Sequence, residues 1–506
     1  MRFNHTILGL VAVAVAALAT TACIKEPTVS NKEREKISLD AWIALHKPEL
    51  KDNYQENGGY YVELLDGDKN EMLPINGNNL GSEPIMEQDT CWVFSKMTGR
   101  DINGSICMTR SYELAQLCGT FSHSTHYAPY VNYGGSNNMG LLEGSYLAMR
   151  NELKLGDTTY KMRRGSKVRL YLPSSIAYGE SGSQAEGGYE GQYSLDASRP
   201  LVLDVEVMDV VKNPSELELE MVRDYIGYEG IWTQAEKSES EKTDKDDDLK
   251  LKGLYFNLNY NPTTDDVTIH KYMQPQAMAE LDKFNRPYTD NRKYLDGNMA
   301  VVTDSINKIL IKRFGEGLPR NEQGEKSQVT KNGRAKIWYV ARFLDGFVLD
   351  TNIAEIRQYL FDEKTPTCEV FSYSPSDDEG KESENRQAIG AWYYCVPQMH
   401  HGAYGQIITT SGYAYGASGV SGSTSTETSS TGSSLSYYNA MNYYNYYNSY
   451  YNYYSPYYNY YDYNYYNYNY NYDVEEDTTT TTTTTISTEI LPYTPLVFTL
   501  YVEPYE

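Results

Sequence analysis

Two stretches far apart in the chain share one pattern of apolar and polar positions. Pro200-Leu201-Val202-Leu203-Asp204-Val205-Glu206-Val207 alternates apolar with polar at the two-residue period of a half-buried strand, and Pro495-Leu496-Val497-Phe498-Thr499-Leu500-Tyr501-Val502 opens with the same Pro-Leu-Val. Each stretch follows a copy of one hexad, Ala177-Tyr178-Gly179-Glu180-Ser181-Gly182 and Ala414-Tyr415-Gly416-Ala417-Ser418-Gly419. Upstream, Met162 and Gly165 stand to Tyr178 as Met399 and Gly402 stand to Tyr415. Fixed offsets between different residue types rarely repeat by chance. The chain therefore reads as a tandem of one domain type, each copy closing an antiparallel sheet.

Between and around the copies the pattern is weaker. Leu217, Leu219, Met221 and Val222 among acids predict a helix over Glu216 to Ile226, Leu254-Tyr255-Phe256 reads as a strand, and Gln276 to Phe284 is helix-like. Ile309-Leu310-Ile311 is expected as the first strand of the second copy and Ile337 to Phe343 as the next. The expected division is a signal peptide at 1–22, a tether at 23–57, a first domain at 58–212, a connecting segment at 213–303 and a second domain at 304–506. A low-complexity insertion at 420–488 interrupts the second domain: Ser421 to Ser434 is rich in Ser, Thr and Gly, Tyr437 to Tyr472 is nearly all Tyr and Asn, and Thr478 to Thr485 is a threonine run. No helical or strand period runs through it, so it is expected to be a disordered expansion of a loop, which costs little closure entropy. Its tyrosines offer faces for carbohydrate, peptide or self-association.

Composition narrows the functions. A chain of 506 residues suits two or three domains, and a formal charge of -24 repels a nucleic-acid backbone, so no nucleic-acid partner is expected. Arg2, the apolar run from Ile7 to Leu18 and the small residues Thr20-Thr21-Ala22 before Cys23 have the layout of an export signal. The run is shorter than the roughly 20 apolar residues of a bilayer span. Cys23 after small residues resembles the lipobox of bacterial lipoproteins, with Thr20 where leucine is usual; the resemblance implies lipidation at Cys23 and anchoring to a bilayer, expected at the outer membrane facing the periplasm or the cell surface. Cys91, Cys107, Cys118, Cys368 and Cys395 show no metal-ligand or redox spacing, so no metal and no cofactor are expected. A Cys368–Cys395 bridge is conceivable, and buried thiols are the commoner arrangement. His400-His401 sit side by side on a strand, facing opposite ways, without a spaced partner ligand.

Chemistry concentrates around the second hexad. The run from Trp338 through Tyr339 to Leu349-Asp350, then Tyr359, Ala388-Ile389, Trp392, Tyr415 and Phe498, sets residues of different types at defined separations. Together these resemble FKBP-type peptidyl-prolyl isomerases over roughly residues 304–419 and 489–506. The resemblance implies an α+β fold of two FKBP-like domains, each an antiparallel sheet wrapped around a short helix. It further implies that Tyr339, Asp350 and Tyr415 serve catalysis, and that Leu349, in place of the family's Phe, joins Tyr359, Ile389, Trp392 and Phe498 in lining an aromatic pocket for proline. The substrate would be proline-containing segments of exported proteins. The first copy departs from the family where chemistry is expected: Met97, Cys107 and Met108 take the positions of Tyr, Phe and Asp, Gly144-Ser145 stands where Gly-Trp would open the helix, Leu203 replaces the last Phe, and extra residues lie between Leu153 and Met162. The expected function is prolyl isomerisation outside the cytoplasm by the C-terminal domain. The alternatives are a non-catalytic peptide-binding lipoprotein and a surface adhesion or scaffold lipoprotein.

Overall fold

A computed structural model describes residues 30–65, 80–118, 125–127, 129–138, 141–183, 195–227, 232–237, 250–263, 299–318, 327–361, 363, 366, 368–381, 385–420, 423–429 and 481–505. The expected signal peptide, Cys23, the helix at 276–284 and the Tyr/Asn tract lie outside the described residues.

The first unit begins earlier than its sequence suggests. Residues 31–46, expected within a tether, form helix α1 (Asn31–His46), opened by a capping box in which Ser30 and Glu33 bond each other's backbone N–H. An isolated helix of this length is marginal in water. Leu39 and Ile43, one turn apart, hold it by burying against Tyr61, Tyr171 and Val202, at about 1.5–3 kcal/mol for each fully buried side chain. Strands β1 (Tyr54–Gln55), β2 (Tyr60–Leu64), β3 (Trp92–Asp101), β4 (Ile106–Thr109) and β5 (Tyr130–Tyr133) follow, with the short helix α2 (Tyr112–Leu117) between the last two. Helix α3 (Glu143–Arg150) and a small hairpin, β6 (Leu153–Leu155) with β7 (Thr158–Tyr160), precede β8 (Lys167–Leu172) and β9 (Leu201–Val211). The extra residues after Leu153 are that hairpin. The antiparallel sheet runs β1-β2-β8-β9-β3-β4, with β5 also pairing β3. Val93, Ser95 and Met97 alternate inward along β3, and Ala148 and Met149 of α3 pack on the same cluster.

The second unit repeats this plan. Helix α4 (Pro214–Ile226), where sequence places a helix, leads to β10 (Thr233–Glu236) and β11 (Lys250–Asn257), so the expected connecting segment supplies the edge of the second sheet. Helix α5 (Met299–Phe314) replaces the expected strand at 309–311: Ile306 and Leu310 lie on one face, buried against Trp338, Tyr404 and Tyr501. Then come β12 (Ala335–Phe343), β13 (Val348–Thr351), α6 (Ala354–Phe361), β14 (Phe371–Tyr373), α7 (Gly390–Cys395) and β15 (Tyr404–Thr409). The ends of the expected disordered insertion pair as an antiparallel ribbon, β16 (Ser423–Ser429) with β17 (Thr481–Ser487), in keeping with the strand preference of β-branched threonine. Strand β18 (Leu496–Val502) completes a sheet ordered β10-β11-β15-β18-β12-β13, with β14 also pairing β12. Cys368 and Cys395 are both free thiols, so the conceivable bridge is not formed.

The two sheets correspond strand for strand, including a register shift in the β3–β4 pair at Gly99/Arg100 and in the β12–β13 pair at Ala341/Arg342. Helices α1 and α4 seat on equivalent cross-strand pairs, Tyr171 with Val202 and Ile408 with Val497. Each helix also sends one carboxylate to the turn before the hexad: Glu35 accepts from the Ser174 N–H and hydroxyl, and Glu218 from the Ser411 N–H and hydroxyl at 2.8 and 2.7 Å. The last glycine of each hexad is dictated by space as well as by its positive φ. A Cβ on Gly182 would meet the Leu195 carbonyl oxygen at 2.2 Å, and one on Gly419 that of Ile490 at 2.1 Å. The fold is thus α+β, two antiparallel sheets with short helices in tandem.

Candidate functional site

The register shift between β12 and β13 organises the site. Along β12 the odd positions Ile337, Tyr339, Ala341 and Phe343 face one cluster, while Trp338 and Val340 face the other. Asp350 pairs with Ala341 and Val348 with Arg342, so the shift leaves Leu349 as the extra residue. The bulge brings both Leu349 and Asp350 to the face of Tyr339. The Tyr339 hydroxyl donates to Asp350 Oδ2 at 2.6 Å, and Arg357 on α6 holds the other carboxylate oxygen at 3.1 Å while pairing with Glu363 at 2.6 Å. Burial first, then the charge of Asp350, pushes both the Tyr339 and Tyr415 hydroxyls well above the usual tyrosine range, so both are donors at neutral pH.

Trp392 in α7 is the floor of this face. Four rings meet it edge-on: Tyr339 at 5.7 Å, Phe371 at 5.5 Å, Tyr373 at 5.8 Å and Phe498 at 6.1 Å between centroids. Phe498 arrives because β18 pairs it with Ala341, and Phe371 because β14 pairs it with Ile337. Leu349, Trp392 and Phe498 are at most 5% exposed, whereas Tyr339, Ile389 and Tyr415 are half-buried and form the rim. The Trp392 indole N–H is buried without an acceptor among the described residues. Ile389 is the residue before α7, in extended backbone, and neither its N–H nor the Tyr415 hydroxyl makes a hydrogen bond among the described residues. The rim thus offers two donors over an aromatic floor.

Seven of the eight residues expected in this site come together; Tyr359 does not. It lies on α6 and packs with Ile356, Leu360 and Trp338 on the opposite face of the sheet. Counting forward from Asp350 assigns it to the wall, but α6 and the segment after it lengthen the path, and Phe371 occupies that place. The alternation Phe371-Ser372-Tyr373 was the available signal. A separate open hollow of about 350 Å³, lined by Glu236, Gln328, Lys331, Tyr394, Pro397 and Gln398 among others, does not include Trp392.

No family model matches the chain, and no curated protein matches it. Similar solved structures are the three FKBP domains of wheat FKBP73 (11% identity over 89% of this chain and 96% of that one, TM-score 0.19), FkpA from Escherichia coli (18%, 42% and 74%, TM-score 0.21) and a peptidyl-prolyl cis-trans isomerase from Pseudomonas syringae pv. tomato (19%, 36% and 98%, TM-score 0.20). At such TM-scores the likeness carries no argument. Function rests on the side chains.

The same face of the first unit is built differently. Met97 and Met108 stand where Tyr339 and Asp350 do, and among the described residues the Tyr178 hydroxyl donates only to the Met108 sulfur at 3.1 Å, a weak acceptor. Ser145 turns its hydroxyl back to the Leu142 carbonyl at 2.7 Å. Burial raises the Cys107 thiol to about 11, so it is neither a nucleophile nor an acceptor like Asp350. Tyr130 pairs with Ser95 on β3 as Phe371 pairs with Ile337 on β12. Among the described residues no group of three or more His, Cys, Asp or Glu side chains could hold a metal ion.

Proposed function

We propose that the second unit is an FKBP-type peptidyl-prolyl cis–trans isomerase acting on proline-containing segments of exported proteins, in a chain anchored to a membrane outside the cytoplasm through a lipid on Cys23. The observation that carries the activity is the pairing of the Trp392 floor with two donors that make no hydrogen bond among the described residues, the Tyr415 hydroxyl and the Ile389 N–H. An Xaa-Pro bond isomerises through a twisted state that has lost amide resonance, over a barrier of about 18–20 kcal/mol. No nucleophile is required. An aromatic surface that accepts the proline ring removes water from the planar, polarised amide more than from the twisted one, and donors at the rim hold the flanking carbonyls in the twisted geometry. Asp350, held by Arg357 and Tyr339, fixes one wall of that rim.

A second reading is peptide binding without turnover: Leu349, Trp392 and Phe498 are at most 5% exposed, so a peptide held at the half-buried rim of Tyr339, Ile389 and Tyr415 need not seat its proline on the floor. NMR exchange spectroscopy on a proline peptide separates the two. The full chain should accelerate cis–trans exchange, and Trp392→Ala should return it to the uncatalysed rate. Binding shifts in the peptide without acceleration would establish the second reading and remove the first.

A further inference from the structure

The two units touch through groups that the isomerase reading leaves unused. Arg110 stands just past β4 with its side chain 6% exposed. Its guanidinium lies 4.1 Å from the centroid of the Tyr130 ring and donates to the His126 carbonyl at 3.1 Å. Because Tyr130 holds the place that Phe371 holds in the second unit, Arg110 covers the wall of the first unit's counterpart site. A buried guanidinium needs a counter-charge, and the carboxylate Arg110 pairs with among the described residues is Glu489, on the second unit. Beside it the His126 ring stacks on Phe343 at 4.4 Å and pairs with Asp345 at 2.6 Å, and Trp92 meets Tyr493 edge-on at 4.6 Å.

The captured residues have a particular place. Glu489 and Tyr493 bracket the return of the loop that leaves the second hexad: Ile490 pairs with Val420, and the Tyr493 N–H donates to the Gly416 carbonyl beside Tyr415 at 3.2 Å. We propose that the first unit is an intramolecular docking platform, whose Arg110 and Trp92 hold the 489–493 segment of the second unit and thereby fix the loop beside Tyr415. The charges are complementary across the contact, a cation and a histidine on the first unit against two carboxylates on the second.

Hydrogen exchange read by mass spectrometry on the full chain tests this without reference to isomerase activity, so its failure and the failure of the enzyme reading are distinguishable. Glu489 and Asp345 have side chains 40% and 49% exposed and can be replaced without opening either core. Glu489→Lys places a cation against Arg110. It should speed exchange in peptides spanning His126 and Tyr493 by about threefold or more, while β8 and β15 keep their protection. Asp345→Asn, the milder change, should speed exchange around His126 alone. Unchanged exchange at both segments in both variants overturns the proposal. So does a Glu489→Lys protein that loosens everywhere while Asp345→Asn changes nothing at His126.

Discussion

Where the second unit sets Trp392 among four rings, the first sets Ser145, whose hydroxyl turns back on its own helix. Strand order, the bulge in the hairpin, the helix seated on one cross-strand pair and the glutamate bonded to the pre-hexad serine are nonetheless common to both. The shared features are those the backbone needs: a Cβ at Gly182 or Gly419 would strike a carbonyl oxygen whatever the pocket contains. The divergent ones line one face of the sheet. Tyr178 survives in the first unit with only a thioether to bond, which fits a residue kept by the turn that holds it. The repeat therefore separates what builds the fold from what the second unit uses.

The largest expected effect breaks the shared part. Glu218 is 2% exposed, and burial, opposed by the hydrogen bonds from Ser411, raises its carboxyl from 4.5 to about 7. Tyr493, which caps the same loop, faces it. With the folded value above the unfolded one, protons bind the folded state more tightly. Glu218 therefore penalises folding least below pH 4.5, and the penalty grows as pH rises toward 7, by about 3 kcal/mol in all. Glu218→Gln keeps an acceptor for the Ser411 N–H, can donate its amide N–H to the Ser411 hydroxyl oxygen, and has no charge to bury. Its stability relative to wild type in urea unfolding should rise between pH 4.5 and 8 by about that amount. A difference that stays flat across this range would show that Glu218 is solvated and that the turn stands without it.

Much of this site was legible because its residues sit at fixed separations within regular elements. Tyr339 and Asp350 lie across one hairpin, and Trp392, Tyr415 and Phe498 each adjoin a recognisable turn or strand. What was not legible lies where the chain count is broken. Tyr359 was misplaced because α6 and the residues after it separate Asp350 from the strand that carries Phe371. Ile309-Leu310-Ile311, three consecutive apolar residues, has no period of its own, and only Ile306 four positions before Leu310 reveals a helix. Helix α1 hid because two buried residues, Leu39 and Ile43, suffice to dock it, and five of its first six residues are charged. Strands β10 and β11 pair with the far edge of a sheet whose other members come much later in the chain, a long-range contact that local pattern does not encode.

The remaining effects sharpen the comparison between the two tyrosines. Tyr415→Phe removes a rim donor while keeping the ring, and the loss of one hydrogen bond of about 0.5–1.5 kcal/mol should lower kcat/KM on a proline peptide several-fold. Tyr178→Phe, the same change in the first unit, should leave that rate as it was. Equal losses in both would mean that the hydroxyl serves the turn and not the substrate. Asp350→Asn should have the smallest effect, about two- to threefold. The amide oxygen still accepts from Tyr339 and Arg357 keeps its pair with Glu363, but the amide nitrogen in place of Oδ1 no longer accepts from Arg357 or from the Thr351 N–H. If Asp350 acts only by capping the turn through its bond to the Thr351 N–H at 2.8 Å, the variant should lose stability in urea while its kcat/KM stays at wild type. A fall in kcat/KM with stability retained would instead assign the carboxylate to the rim, where the first unit has Met108.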